Sequence, residues 1–100
     1  MIAGVSNTTA QKIINLFKNH PKINTLFVFG SRASNKYKNG SDIDLAIDGK
    51  AITGHDIIDL YKQVDDLYTP YKFDIISLQC LTNKTLYQHI ISDGVVLFNK

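Results

Sequence analysis

The first third of the chain alternates between helical and strand-like patterns of apolar residues. Apolar side chains within residues 13–17 recur at helical spacing behind cap candidates at positions 7 and 8, and Pro21 follows, which predicts a first helix. Residues 23–29 are short, apolar and rich in β-branched and aromatic side chains, and Gly30 ends the run. This pattern predicts a buried strand.

The rest of the chain continues the alternation of strands and helices. Residues 42–48, DIDLAID, place Ile43, Leu45 and Ile47 on one face at a spacing of two residues, which predicts a second strand. An apolar stripe over residues 54–68 predicts a helix, and residues 71–78 predict a third strand. A last helix over 82–94 and a short strand over 95–98 follow. The fold class is therefore α/β (α+β), with one small mixed β-sheet flanked by helices.

Composition narrows the class of protein. One hundred residues with 44% hydrophobic content predict one domain over residues 1–100. The formal net charge of +2 gives no reason to expect direct nucleic-acid binding. With a single cysteine, Cys80, and neither a signal-like N-terminus nor a membrane-length apolar run, we expect a soluble, cytoplasmic protein without membrane contact. A domain this small, with apolar helix faces, is also a candidate for a homo- or hetero-oligomer.

Three aspartates form a candidate metal site. Asp42 and Asp44 lie two apart on a predicted strand, so both point to one face, where their charges repel. Asp74 interrupts an apolar strand, where an unpaired buried charge would be costly. Converging carboxylates suit Mg²⁺ or Mn²⁺ rather than zinc. The alternative, in which Asp42 and Asp44 line a wet strand face and Asp74 pairs with a lysine, stays open.

The Gly-Ser step after the first strand is a candidate phosphate site. Gly30 lets the backbone approach a ligand closely, and Ser31 adds a hydroxyl. Arg32, Lys36 and Lys38 bring positive charge to the same loop. An ordinary solvated polar turn is the competing interpretation.

The histidines and two of the tyrosines give no comparable pattern. His20, His55 and His89 share no metal-ligand spacing, so we expect structural roles for all three. Tyr61 and Tyr68 are expected to pack in the core or at an interface.

The segment GSRASNKYKNGSDIDLAI carries a family resemblance. It resembles the signature of the minimal nucleotidyltransferases, the MNT branch of the DNA polymerase beta superfamily: Gly-Ser, an alanine two residues on, a loop of fixed length, then Ser-Asp-x-Asp-Leu. The family's later hydrophobic-Asp-hydrophobic strand matches the residues around Asp74. Two positions depart from the pattern, since Ser34 and Asn35 stand where many members have Arg-Gly.

The resemblance implies an Mg²⁺-dependent transfer of a nucleoside monophosphate, AMP from ATP or another NTP. Asp42 and Asp44 would bind the metal ions, and Asp74 would complete the catalytic metal site and help to activate the acceptor hydroxyl. The nucleotide-binding residues would be Gly30, Ser31, Arg32 and Ser41.

The resemblance also implies a partner. Stand-alone MNT proteins are commonly paired with a helical HEPN-domain toxin, which some neutralise by transferring AMP to a toxin tyrosine. The first hypothesis is therefore an antitoxin that modifies a HEPN toxin. The second is a non-catalytic MNT-fold module that neutralises or assembles with its partner sterically. An Asp-x-Asp phosphohydrolase is disfavoured, because Leu45 and Ala46 replace the threonine expected after such a pair.

Overall fold

The structure is a computed structural model that describes residues 2–100, and within them it has three α-helices and four β-strands. Single 3₁₀ turns follow the first and third strands, at Gly30–Arg32 and Leu78–Cys80. In chain order the helices and strands are α1 (Asn7–Lys18), β1 (Thr25–Phe29), β2 (Ile43–Asp48), α2 (Gly54–Asp65), β3 (Phe73–Ser77), α3 (Lys84–Asp93) and β4 (Val95–Asn99).

The four strands form one mixed sheet in the order β3-β2-β1-β4. The strand β1, one of the two inner strands, is antiparallel to β2 and β4, whereas β2 and β3 are parallel, as the helical crossover between them allows. The pairing of β1 with β4 is irregular between Leu26 and Phe27. The predicted class, a small mixed sheet flanked by helices, is confirmed.

The helices begin at side-chain caps that differ in part from the predicted ones. Ser6, rather than position 7 or 8, accepts the Thr9 N–H at the start of α1. Thr53 caps α2, which begins at Gly54 as predicted, and forms a reciprocal capping box with Asp56. Asn83 caps α3, which begins at Lys84 rather than at the predicted position 82. Each shift is of one or two residues, because several neighbouring polar residues can serve as a cap and only the local backbone conformation selects one.

One face of the sheet, which we call the core face, carries the main hydrophobic core. The alternation of β2 directs Ile43, Leu45 and Ile47 to this face, where all three are fully buried. The helices α1 and α2 cover them with their apolar stripes, for example through Phe17 and Leu60. The same strand therefore leaves its acidic residues for the opposite side.

The opposite face, which we call the site face, is less completely covered. A smaller cluster of Phe29, Ala46, Leu78 and Ile90 forms there, with α3 lying over the sheet. Asp44 and Asp48 of β2 are only half-buried. No helix within residues 2–100 has both the length and the apolar character needed to cross a membrane.

Candidate active site

The turn after β1 places glycine against a carboxylate. Gly30 has a φ of 73°, in the left-handed region that glycine favours. A Cβ atom at this position would lie only 2.6 Å from Asp44 Oδ2. Both observations require glycine here, and they show that the Asp44 carboxylate rests directly against the backbone of the Gly-Ser turn.

The sheet register brings two of the predicted aspartates side by side. Asp44 pairs with Phe29 of β1 on one side and with Asp74 of β3 on the other. Asp42 lies just before β2 and is exposed. Asp74 lies within an apolar strand as predicted, but its expected burial was wrong, because β3 is an edge strand and Asp74 is exposed.

The electrostatics of the site are those of crowded carboxylates. Burial raises the pKa of Asp44 above its ordinary value, and repulsion from Asp74 and then Asp42 raises it further. A cation between these groups would relieve the repulsion. The carboxylates are therefore matched to a positively charged ligand.

The donor set fits Mg²⁺ when a nucleotide supplies the other ligands. Among residues 2–100, no three His, Cys, Asp or Glu side chains are close enough to hold a metal ion by themselves. Mg²⁺ in nucleotide-dependent enzymes is commonly held by one or two carboxylates, substrate phosphates and water. Asp44 with Asp42 or Asp74 would supply such carboxylates, because their oxygens are hard anionic ligands and the groups are close enough to raise the pKa of Asp44.

A cavity of about 550 Å³ opens beside the Gly-Ser turn. Its volume is in the range of sites for small ligands. The loop after β1 and the last turns of α3 both contribute to its wall, through residues that include Gly30, Ser31, Lys36, His89 and Asp93. Gly30 therefore lines a cavity of ligand size and also lies against the Asp44 carboxylate.

The comparison with protein families shows which family the chain belongs to. The family described as "Polymerase beta, Nucleotidyltransferase" matches residues 11–100, which include the turn, all three aspartates and α3. The chain belongs to the polymerase beta nucleotidyltransferase family. The family predicted from the Gly-Ser and Asp-x-Asp segment is confirmed, and so is the assignment of the chain as a nucleotidyltransferase.

Solved structures share the fold of this nucleotidyltransferase at low sequence identity. A toxin-antitoxin complex with AMP-PNP matches with a TM-score of 0.77 and 24% identity, over 91% of this chain and 73% of that one. A tri-AMPylated Shewanella oneidensis HEPN toxin in complex with MNT antitoxin matches with a TM-score of 0.71 and 22% identity, over 93% and 71%. An MntA-HepT toxin-antitoxin structure gives 0.72 and 22%, over 95% and 74%. No match was found among curated proteins.

Two residues predicted to bind nucleotide, Arg32 and Ser41, form hydrogen bonds within this nucleotidyltransferase. Arg32 is 3% exposed, and its Nε and Nη2 donate to the Ser41 carbonyl oxygen at 3.1 and 2.9 Å, while Nη1 donates to the Ala3 carbonyl oxygen at 2.9 Å. Its guanidinium also lies over the rings of Tyr37 and Tyr71. The arrangement makes Arg32 a clamp for the loop, and a contact of Arg32 with nucleotide stays a prediction.

Ser41 has a similar structural role. Its hydroxyl accepts the Lys38 N–H at 2.9 Å, and its carbonyl oxygen accepts from Arg32. Gly30 and Ser31, by contrast, border the cavity, and so does Lys36 of the loop lysines. The structure therefore brings the Gly-Ser step and one lysine to the cavity, while Arg32 and Ser41 shape the loop that follows.

Sequence reasoning missed three side chains near the site. His89, expected to be structural, lies on the cavity wall with its Nδ1 3.1 Å from Asp93 Oδ2. The spacing of four residues on a helix, which aligns side chains on one face, could have indicated this pair. Tyr61 contacts Asp74, and no sequence spacing indicates that contact.

Proposed function

We propose that this nucleotidyltransferase uses Mg²⁺ to transfer AMP from ATP to a tyrosine hydroxyl of a HEPN-domain partner, and that it acts as an antitoxin. The contact of Gly30 with the Asp44 carboxylate carries the proposal. It places a backbone turn suited to phosphate within touching distance of a carboxylate suited to metal. A nucleoside triphosphate with Mg²⁺ needs both at once.

Different residues bind the phosphates and the metal ion. Backbone N–H groups of the turn, the Ser31 hydroxyl and Lys36 bind phosphate oxygens at the cavity. Asp42 and Asp44 would hold Mg²⁺, and Asp74, the neighbour of Asp44 in the sheet register, would complete the metal site. A bound Mg²⁺ would supply positive charge that offsets the negative charge of the phosphates.

Asp74 serves the acceptor side of the reaction. Its exposed position on the edge strand leaves it open to an incoming hydroxyl group. The carboxylate accepts the proton of that hydroxyl, whose oxygen forms a bond to the α-phosphorus as the bond to pyrophosphate breaks. The products are an adenylylated acceptor, pyrophosphate and the proton that Asp74 has accepted and then releases to water.

The acceptor is proposed from the structural neighbours. One of them is a complex of an MNT antitoxin with a tri-AMPylated HEPN toxin, and another contains AMP-PNP. Both share the fold of this chain, which supports a HEPN partner and an adenine nucleotide here. Tyrosine as the acceptor follows from the family resemblance.

Labelled ATP tests the proposal. The purified chain, with and without its co-purifying partner, is incubated with ATP labelled at the α-phosphate and Mg²⁺. We expect label on the partner with the wild-type chain and none with Asp42→Asn/Asp44→Asn. Omission of Mg²⁺ should abolish labelling, and Mn²⁺ should restore it. A partner that stays unlabelled at millimolar ATP contradicts the proposal.

A sterically acting module is the second candidate function. Large apolar side chains, including Ile58, Ile91 and Val96, are exposed on the surface, and a bound partner would cover such residues without any chemistry. This candidate predicts that Asp42→Asn/Asp44→Asn still protects cells from the partner. Loss of protection in that variant, with the complex intact, would exclude it.

A further inference from the structure

The phenol of Tyr61 connects α2 to the edge of the site. Its oxygen accepts the backbone N–H of Ile75 at 2.8 Å, and its hydroxyl donates to Asp74 Oδ1 at 3.4 Å. Tyr61 lies in α2, and its half-buried ring packs against the main core. The hydroxyl is therefore held by a rigid part of the fold while it contacts an exposed carboxylate.

The direction of the hydroxyl proton follows from the shorter contact. A phenol has one proton to donate, and here its oxygen already accepts from Ile75. The proton must point to another acceptor, and Asp74 Oδ1 is the acceptor that the structure places in reach. At 3.4 Å this bond is long, as hydrogen bonds of catalytic groups often are before substrate binds.

The edge position of β3 explains why a tyrosine is needed there. An edge strand has backbone groups without a strand partner, and the Ile75 N–H uses the phenol oxygen instead. The same contact brings the phenol around the edge from the core face towards Asp74, the neighbour of Asp44 in the sheet register. One side chain therefore satisfies the strand edge and orients a carboxylate of the site.

We propose that Tyr61 is a positioning residue for Asp74. Its hydroxyl holds one carboxylate oxygen, Oδ1, so that the carboxyl group keeps a single orientation and Oδ2 stays directed at the metal and the acceptor. Groups that hydrogen-bond a metal-binding carboxylate in this way typically change metal affinity or activity by about 10- to 100-fold. The inference rests on the proposed function, because it gives Asp74 a role in metal binding and proton transfer.

The test is Mn²⁺ binding to the full chain in the presence of ATP, followed by electron paramagnetic resonance of the free ion. We expect Tyr61→Phe, which keeps the ring and removes the hydroxyl, to weaken Mn²⁺ binding about 10-fold. In an Asp74→Asn background the same substitution should have little further effect, because the two residues act through one interaction.

Two other tyrosines serve as matched controls. Tyr68 is 89% exposed, and the Tyr71 hydroxyl donates to the Gly4 carbonyl oxygen at 3.3 Å. Tyr68→Phe and Tyr71→Phe should bind Mn²⁺ as the wild type does. Thermal unfolding and amide exchange at Ile75 identify any loss of folding in Tyr61→Phe. Should that variant not fold, the Tyr61 ring resonance of the wild-type chain decides, since it should shift on addition of Mg²⁺ and ATP while that of Tyr68 does not.

The outcomes separate this inference from the proposed function. A wild-type chain that binds no Mn²⁺ with ATP overturns both. Wild-type binding with an unchanged affinity in Tyr61→Phe, or an unshifted Tyr61 resonance, overturns the positioning role alone. Label from ATP on Tyr61 itself also overturns it, because the phenol would then be an acceptor. The positioning role is supported if Tyr61→Phe weakens Mn²⁺ binding about 10-fold in the wild-type background, whereas Tyr68→Phe and Tyr71→Phe do not, and if it causes no further loss in the Asp74→Asn background.

Discussion

The two faces of the sheet use the same strands for opposite purposes. On the core face, Ile43, Leu45 and Ile47 of β2 are fully buried under α1 and α2. On the site face, Asp44 of the same strand is half-buried beside Asp74 and against Gly30. The core face supplies packing energy, whereas the site face holds like charges together at a cost in stability. The core face stabilises the site face, because the buried apolar side chains of β2 fix the strand and so hold Asp44 close to the other carboxylates.

The largest expected effect is on the site face. Asp42→Asn/Asp44→Asn should lower the rate of AMP transfer by roughly 1000-fold or more, since metal stabilisation of the transition state is worth several kcal/mol. The free energy of unfolding of the metal-free chain should not fall, because carboxylate repulsion is removed. Transfer rates and urea unfolding measure the two quantities. Asp48→Asn, on the same strand and outside the site, is the matched control and should transfer normally.

A substitution on the core face should instead lower the free energy of unfolding. Leu45→Ala leaves a cavity under α1 and α2 and should lower the free energy of unfolding by about 3 kcal/mol. Ile76→Ala, in the smaller and partly buried cluster of the site face, should cost less than half as much. Chemical denaturation of both variants gives the comparison. Equal losses would mean that the two faces contribute equally to stability, contrary to the difference in burial.

Two glycine substitutions separate the effect of backbone strain on stability from the effect of the contact with Asp44 on binding. Gly30→Ala and Gly40→Ala both place a side chain at positive φ, which costs about 1–2 kcal/mol. Only at position 30 does the new methyl group meet the Asp44 carboxylate, whereas the space at Gly40 is open. We therefore expect a stability loss in Gly30→Ala at least as large as that in Gly40→Ala, and weakened Mn²⁺ and ATP binding in Gly30→Ala alone. Similar binding by both variants would show that the contact with Asp44 does not shape the site.

The smallest expected effect is a dependence of stability on pH, and it comes from the core-face helix α2. The Asp56 carboxylate accepts the Thr53 N–H and pairs with Lys22, which lowers its pKa from 3.8 to about 2. A lowered pKa in the folded state adds stability above pH 3.8, and that stability is lost as the pH falls towards 2. Thermal unfolding at stepped pH should show Asp56→Asn less stable than wild type at pH 6, with the gap closing below pH 3. A difference in stability between Asp56→Asn and the wild type that does not change with pH would show that the substitution acts through packing rather than through charge.

Much of the core face could be predicted from sequence, because its information is local. The spacing of Ile43, Leu45 and Ile47 predicts the strand and its buried face, and the apolar stripe of α2 predicts the covering helix. The Gly-Ser and Asp-x-Asp segment was sufficient to indicate the family. Its assignment of metal and nucleotide contacts stays a prediction.

The details of the site could not be predicted, because they depend on strand order and side-chain direction. Asp74 was expected to be buried, but strand order puts β3 at the edge. Arg32 was grouped with the phosphate-binding residues, and its hydrogen bonds to two carbonyl oxygens are set by how the loop folds back. The Tyr61 contact requires α2 to lie over the edge of β3. None of these follows from periodicity in the chain.

The pairing of β1 with β4 has a consequence for how the molecule folds. The Thr25 side chain forms a hydrogen bond with that of Asn99, 74 residues further along the chain. One edge of β1 is therefore unpaired until β4 is available. Contacts of such long separation form late and slow the folding of a small domain. During synthesis β1 therefore presents an open, apolar edge until β4 has emerged, and this interval is when the chain is most exposed to aggregation.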